Sequence, residues 1–161
     1  MENKLKCVCY NVRDIRNKKL KDEVEPMKFN GLIPELSVSN IEKSKWFYIE
    51  VLGFKLEYER EADNFVFVSL EEAQIMLEEI NGHWATGELN YPFGRGINFE
   101  IGVKNIESLI NRLKKAEISF FRDPMVNKYP SHQMVISQKE FLVQDPDGYL
   151  LRFSEDPVQE A

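Results

Sequence analysis

Glu35 and Glu100 stand 65 residues apart in the 161-residue chain, each inside a run that alternates apolar and polar side chains. Paired carboxylates can exchange protons, grip a divalent cation or attract an organic cation. Arg152 and Asn98 fall in runs of the same alternating kind. The other candidates for chemistry are sparse. His83 and His132 are the only histidines, and neither has a partner at motif spacing. Both are expected to be incidental loop residues, although imidazole can serve as a general base. Cys7-Val8-Cys9 offers two thiols but no accompanying cluster, so ordinary thiols are expected rather than a metal site or a disulfide framework. The chain contains no G-x-S-x-G elbow, no P-loop and no dinucleotide fingerprint. No catalytic residue is assigned.

Aromatic residues supply a second kind of candidate. Trp84, Tyr91 and Phe93 lie in the aperiodic stretch 81–96 among four glycines. A loop of that length invites a function, here a stacking surface for a flat ligand. The same rings could instead fill a gap between two halves or a dimer interface. A second stretch, 122–133, is expected to form a rim loop carrying Tyr129, and Trp46 is a weaker candidate on a helix.

The elements that position these groups come in two copies. Val38-Ser39-Asn40-Ile41-Glu42 matches Val103-Lys104-Asn105-Ile106-Glu107 at the same offset of 65. Each copy follows a run with period two, which marks a half-buried strand. Asn40 and Asn105 are predicted N-caps of helices over 41–51 and 106–116, the first ending at Gly53. Strands are then predicted at 54–60, 65–70 and 74–80, and again at 118–122, weakly at 134–137, at 141–144 and at 149–153. Asp145-Pro146-Asp147-Gly148 forms a tight turn before the last strand. The order strand–helix–strand–strand–strand occurs twice, giving an α+β fold of two βαβββ modules in a pseudo-twofold pair. The predicted division is an extension over 1–28 and a domain over 29–156, followed by a tail over 157–161. The domain comprises modules 29–80 and 97–156 with the linking loop 81–96 between them. Met27 could serve as an alternative translation start.

Alternation sorts the side chains by face. With Leu36, Val38, Phe99 and Ile101 toward the helices, Ile33, Glu35, Ser37, Asn98 and Glu100 share the other face, together with Arg152. Arg152 would either pair with Glu35 or Glu100 or contact a ligand.

Charge narrows the partners. The net charge of −6 divides into +3 over residues 1–28 (8 basic, 5 acidic) and −9 over the rest (13 basic, 22 acidic). An acidic body repels phosphate backbones, so nucleic acid is not an expected partner and a cationic small molecule is. No apolar stretch approaches the roughly 18 residues of a membrane span, and residues 1–26 hold no apolar signal core. A cytoplasmic location and no membrane partner are expected.

Two segments resemble a known family. Residues 44–54, ending Phe47-Tyr48-Ile49-Glu50-Val51-Leu52-Gly53-Phe54, resemble the FY-x-x-x-LGF signature of the vicinal oxygen chelate superfamily, and residues 141–153 resemble its closing DPDG hairpin. The superfamily includes glyoxalase I, extradiol dioxygenases and the fosfomycin and bleomycin resistance proteins. The resemblance implies modules curled around a cleft and a homodimer with clefts between subunits. In the enzymes it implies a divalent metal held by His and Glu. Those ligand positions correspond here to Ile33, Leu77 (to within one residue), Asn98 and Arg152, which are poor donors, so no metal and no cofactor are expected. The expected function is that of a metal-free, bleomycin resistance protein-like binder of a cationic aromatic molecule. Glu35 and Glu100 would provide charge, Trp84, Tyr91 and Phe93 stacking, and Asn98 and Arg152 polar contacts. The alternative is a metal-dependent lyase, isomerase or dioxygenase with a displaced metal site.

Overall fold

The computed structural model of the protein describes residues 27–131, 134–155 and 158–160. Cys7, Cys9, His132 and nearly all of the predicted extension lie outside the described residues.

The first module runs β1 (Glu35–Val38), α1 (Ile41–Lys45), β2 (Lys55–Arg60), β3 (Phe65–Leu70) and β4 (Ala73–Glu79). The second runs β5 (Asn98–Val103), α2 (Ile106–Lys115), β6 (Arg122–Ser131), β7 (Met134–Gln144) and β8 (Leu150–Glu155). Each module forms one mixed sheet. The orders are β1-β4-β3-β2 and β5-β8-β7-β6, with β1 parallel to β4, β5 parallel to β8 and all other pairs antiparallel. The paired βαβββ architecture is therefore present, repeat included.

The caps are where the repeat puts them. The Asn40 side chain accepts the Lys43 N–H at 2.9 Å, and that of Asn105 accepts the Ser108 N–H at 3.0 Å. Both satisfy a backbone donor left over at a helix start. The first helix departs from expectation after one turn, since Trp46–Leu52 is wound as a π-helix up to Gly53 at φ +86°. Arg112 of α2 closes that end. Its Nε donates to the Val51 carbonyl at 2.8 Å and its Nη2 to that of Glu50 at 3.0 Å. The left-handed φ favours glycine at residue 53, and a Cβ there would lie 2.9 Å from the Arg112 guanidinium carbon and push that side chain aside.

One core joins the modules. Leu36, Val38, Val66, Val68, Ile75 and Leu77 of the first sheet pack against the helices in the same cluster as Ile101, Val103, Phe141, Val143, Leu151 and Phe153 of the second. The expected alternation holds along β1 and β5, where Glu35, Asn98, Glu100 and Gly102 are exposed while Leu36, Val38, Ile101 and Val103 are buried. We call the opposite surface of each sheet its helix-free face.

Three segments differ from the sequence reading. Residues 122–131, expected as a loop, form β6, and the predicted strand at 118–122 is displaced to it. β6 tolerates Pro124 and Pro130 because it is an edge strand, where a missing N–H breaks no second ladder. The weak segment near 134–137 and the strand at 141–144 are one strand, β7. Within the expected tail, Val158–Glu160 forms β9, paired to Val135, Ile136 and Ser137 of β7.

Candidate functional site

Strand register fixes which side chains are neighbours on each helix-free face. On the first sheet, Glu35 lies beside Met76, Met76 beside Phe67, and Phe67 beside Tyr58. The next row reads Ser37, Glu78, Phe65 and Arg60. The result is an aromatic floor bordered by two carboxylates. Phe65 and Phe67 are 2% and 0% exposed yet stand apart from the main core, so β3 is buried on both faces. Tyr58 packs on both rings at 5.7 and 5.4 Å, and the Arg60 guanidinium carbon sits 3.6 Å from the Phe65 centroid. Burial, then the neighbouring Glu78 carboxylate, raises the Glu35 pKa above the usual carboxylate value, with Arg60 partly opposing.

The second sheet carries a polar network in the corresponding rows. Glu100 lies beside Arg152 and is ion-paired to its Nη2, and it also accepts from Gln138 Nε2 and Ser154 Oγ, each at 3.3 Å. The Nε of Arg152 is buried and has no hydrogen-bond partner. Beyond Ser154 lies Glu140, 3% exposed, which accepts from Asn127 Nδ2 at 2.6 Å and from Tyr129 Oη at 3.1 Å. Tyr129 thus holds a carboxylate on strand β6 instead of tipping a loop.

The expected site residues are dispersed. Glu35 and Glu100 keep symmetry-related places, but Glu100 is drawn into a hydrogen-bonded network on its own sheet while Glu35 borders the aromatic row of the other. Asn98 and Glu100 line a cavity of about 400 Å³ with Leu32, Pro34 and Gln74, between β5 and the approach to β1. Trp84 and Tyr91 are 67% and 66% exposed on the linking loop, which Arg95 braces by donating to the carbonyls of Asn90 and Pro92. Phe93 is buried edge-on against Tyr149, with centroids 6.0 Å apart, so it packs the core instead of offering the expected stacking surface. His83 is exposed on the same loop. Trp46 flanks a groove of about 450 Å³ between the π-helix and α2. Glu78, Phe65, Phe67 and Tyr58 were not anticipated. The FVFV run of β3 offered the one available signal, since a strand apolar at successive positions is buried on both faces.

The residues at the expected ligand positions do not fit a divalent metal. Ile33 is aliphatic, Leu77 points into the core, Asn98 is a neutral amide, and Arg152 is a cation already paired with Glu100. Register refines one of them, because Glu35 lies beside Met76 as Glu100 lies beside Arg152, making Met76 the counterpart. A thioether does not restore a hard-cation site. Among the described residues, no group of three or more His, Cys, Asp or Glu is gathered to hold a metal.

Comparisons with known proteins relate the chain to one superfamily. The model of the Glyoxalase/Bleomycin resistance protein/Dioxygenase superfamily matches residues 32–153. A solved superfamily member from Vibrio splendidus 12B01 is 37% identical over 76% of this chain and 95% of its own, with a TM-score of 0.36. An integron cassette protein of V. Cholerae is 21% identical over 80% of this chain and 97% of its own, with a TM-score of 0.56. A glyoxalase/bleomycin resistance protein/dioxygenase from Alicyclobacillus acidocaldarius is 19% identical over 78% of this chain and 90% of its own, also at 0.56. No curated protein matches the chain. No described helix is long and apolar enough to cross a membrane.

Proposed function

We propose that this chain, which belongs to the glyoxalase/bleomycin resistance protein/dioxygenase superfamily, binds a positively charged aromatic small molecule without a metal. It would sequester that molecule without transforming it, as in the bleomycin resistance branch. One observation carries the reading: two carboxylates, Glu35 and Glu78, border a floor of Phe65, Phe67 and Tyr58 on a single sheet face. A flat cation gains area and dispersion from the rings and charge complementarity from the acids. Glu100, the other acid expected to attract it, is ion-paired with Arg152, whereas Arg60 only partly opposes Glu35 and is itself paired with Asp63.

The pairing of two copies belongs to the same proposal. Leu32 and Ile97 are 85% and 57% exposed beside the open edges β1 and β5, and a homodimer would cover them. The reading is tested by titrating the protein with bleomycin while following tryptophan fluorescence and heat, with light scattering for mass. Saturation at micromolar concentration by a particle of twice the chain mass is expected. Absence of saturation removes the antibiotic, and stoichiometric zinc, nickel, manganese or iron in the native protein favours the enzyme alternative.

A further inference from the structure

The helix-free face of the first sheet already has an aromatic visitor. Phe29, from the segment before β1, stacks on Phe67 with centroids 5.5 Å apart and an interplanar angle of 19°. The contact is not a chance drape, because Gln74 of β4 ties the backbone on both sides of Phe29. Its Oε1 accepts the Asn30 N–H at 2.8 Å and its Nε2 donates to the Lys28 carbonyl at 2.8 Å. Asn30 Nδ2 adds a bond to the Glu72 carbonyl at 2.5 Å. Yet Phe29 is 53% exposed while Phe67 beneath it is fully buried. The ring covers its partner and remains half in water, so its own burial gains little.

We infer that Phe29 marks the aromatic subsite, and that residues 28–30 form a strap whose ring occupies the place a ligand's planar cation takes on Phe67. The inference rests on the binding function proposed above and adds where the ring stacks and what must leave first. Phe67 sits between Tyr58 and Met76 in the strand register, with Glu35 next in the row. A planar cation on Phe67 is thereby placed with its edge toward a carboxylate, a match that the phenyl ring of Phe29 cannot make. Phe29 competes on area alone, whereas a cation adds charge. The strap is held by three hydrogen bonds, two exposed and one part-buried, each of small net strength in competition with water. It can therefore open without disturbing the core. Affinity is then lowered by the fraction of time the strap is closed.

The test uses proflavine, a planar cation, and acridone, a neutral ring system of similar shape. In the full-length protein, Phe29→Ala is expected to tighten proflavine by about tenfold, as for a strap closed about nine-tenths of the time. Glu35→Gln in that background should loosen proflavine and leave acridone unchanged. Phe67→Leu, which stays apolar but removes the ring, should weaken both dyes. Proflavine should also speed hydrogen exchange at the Asn30 amide. Equal proflavine affinities for wild type and Phe29→Ala, or an unchanged Asn30 amide, overturn the subsite alone. Failure of Phe29→Ala to saturate with proflavine overturns the subsite and the binding function together.

Discussion

The Tyr48 hydroxyl donates to Oδ2 of Asp145 at 3.0 Å, joining the π-helix of one module to the β7–β8 turn of the other. Around it the turn makes further bonds. Oδ1 of Asp145 accepts the Asp147 and Tyr149 N–H groups, Asp147 Oδ2 accepts the Ser39 N–H, and Tyr149 donates to the Ser37 carbonyl. The DPDG segment is thus a clasp between modules as well as a hairpin turn. Asp145 is 4% exposed, and burial pushes its pKa up to about 6 despite the donors that face it. Tyr48, Tyr149 and Asp147 are the titratable groups against it.

The sign of the pH dependence follows. Folded Asp145 holds its proton more tightly than the unfolded chain does, so its contribution is complete below about pH 4 and lost as pH rises through about 6. The amount is of order 3 kcal/mol. Urea unfolding of wild type and Asp145→Asn between pH 4 and 7 should show wild type losing stability with pH relative to the variant. Parallel profiles would refute it.

Tyr48→Phe preserves the edge contacts with Phe47 and Phe54, at 5.4 and 5.5 Å, and deletes the hydroxyl alone. Removing a donor from a buried carboxylate costs about 1–3 kcal/mol. The denaturation midpoint should fall at pH 7 with an unchanged slope. The Asp145 titration should move further up, because the Tyr48 bond is one of the influences that lower it.

Gly148→Ala tests the clasp sterically. Residue 148 has φ +89°, and a Cβ there would meet Pro92 Cβ at 2.5 Å and the Pro92 backbone at 2.7 Å. A loss of about 2–4 kcal/mol is expected. Gly87→Ala, with nothing within 4 Å of its Cβ, should stay within about 0.5 kcal/mol of wild type. Equal melting temperatures for the two variants would contradict the packing described.

Glu78→Gln and Glu35→Gln should each weaken a bound organic cation by roughly tenfold, about 1.4 kcal/mol, and weaken it less in high salt. In wild type the affinity should rise with pH as Glu35 ionises, since burial and Glu78 hold its pKa above the ordinary value. Calorimetry at pH 4, 5.5 and 7 reads both effects. An affinity indifferent to pH and to both substitutions would remove these acids from the site.

The frame was legible in the sequence because it is written locally. The offset of 65, the two asparagine caps and the alternation of β1 and β5 all state their structure within a few residues. β6 was not legible, because its prolines are admissible only at a sheet edge and edge status is a tertiary fact. The candidate site was half legible for the same reason. Alternation puts Glu35 and Glu100 on the correct face, but which residues flank them depends on register across strands. Register is what pairs Glu100 with Arg152 and brings Glu78, Phe65 and Phe67 within the field of Glu35. In β3, burial on both faces erases the period that would have exposed the pattern.

The Arg112 bonds to the carbonyls of Val51 and Glu50 bear on how the duplicated halves can exist apart. Gly53 stops the first module's helix, and the second module supplies donors for its two remaining terminal carbonyls. Expressed alone, the first half would leave the Val51 and Glu50 carbonyls to water and lose the guanidinium that packs over Gly53. The repeat is therefore no tandem of self-sufficient units but a mutual dependence. The whole domain should melt in one cooperative step, and a fragment ending before Arg112 should not behave as half a protein.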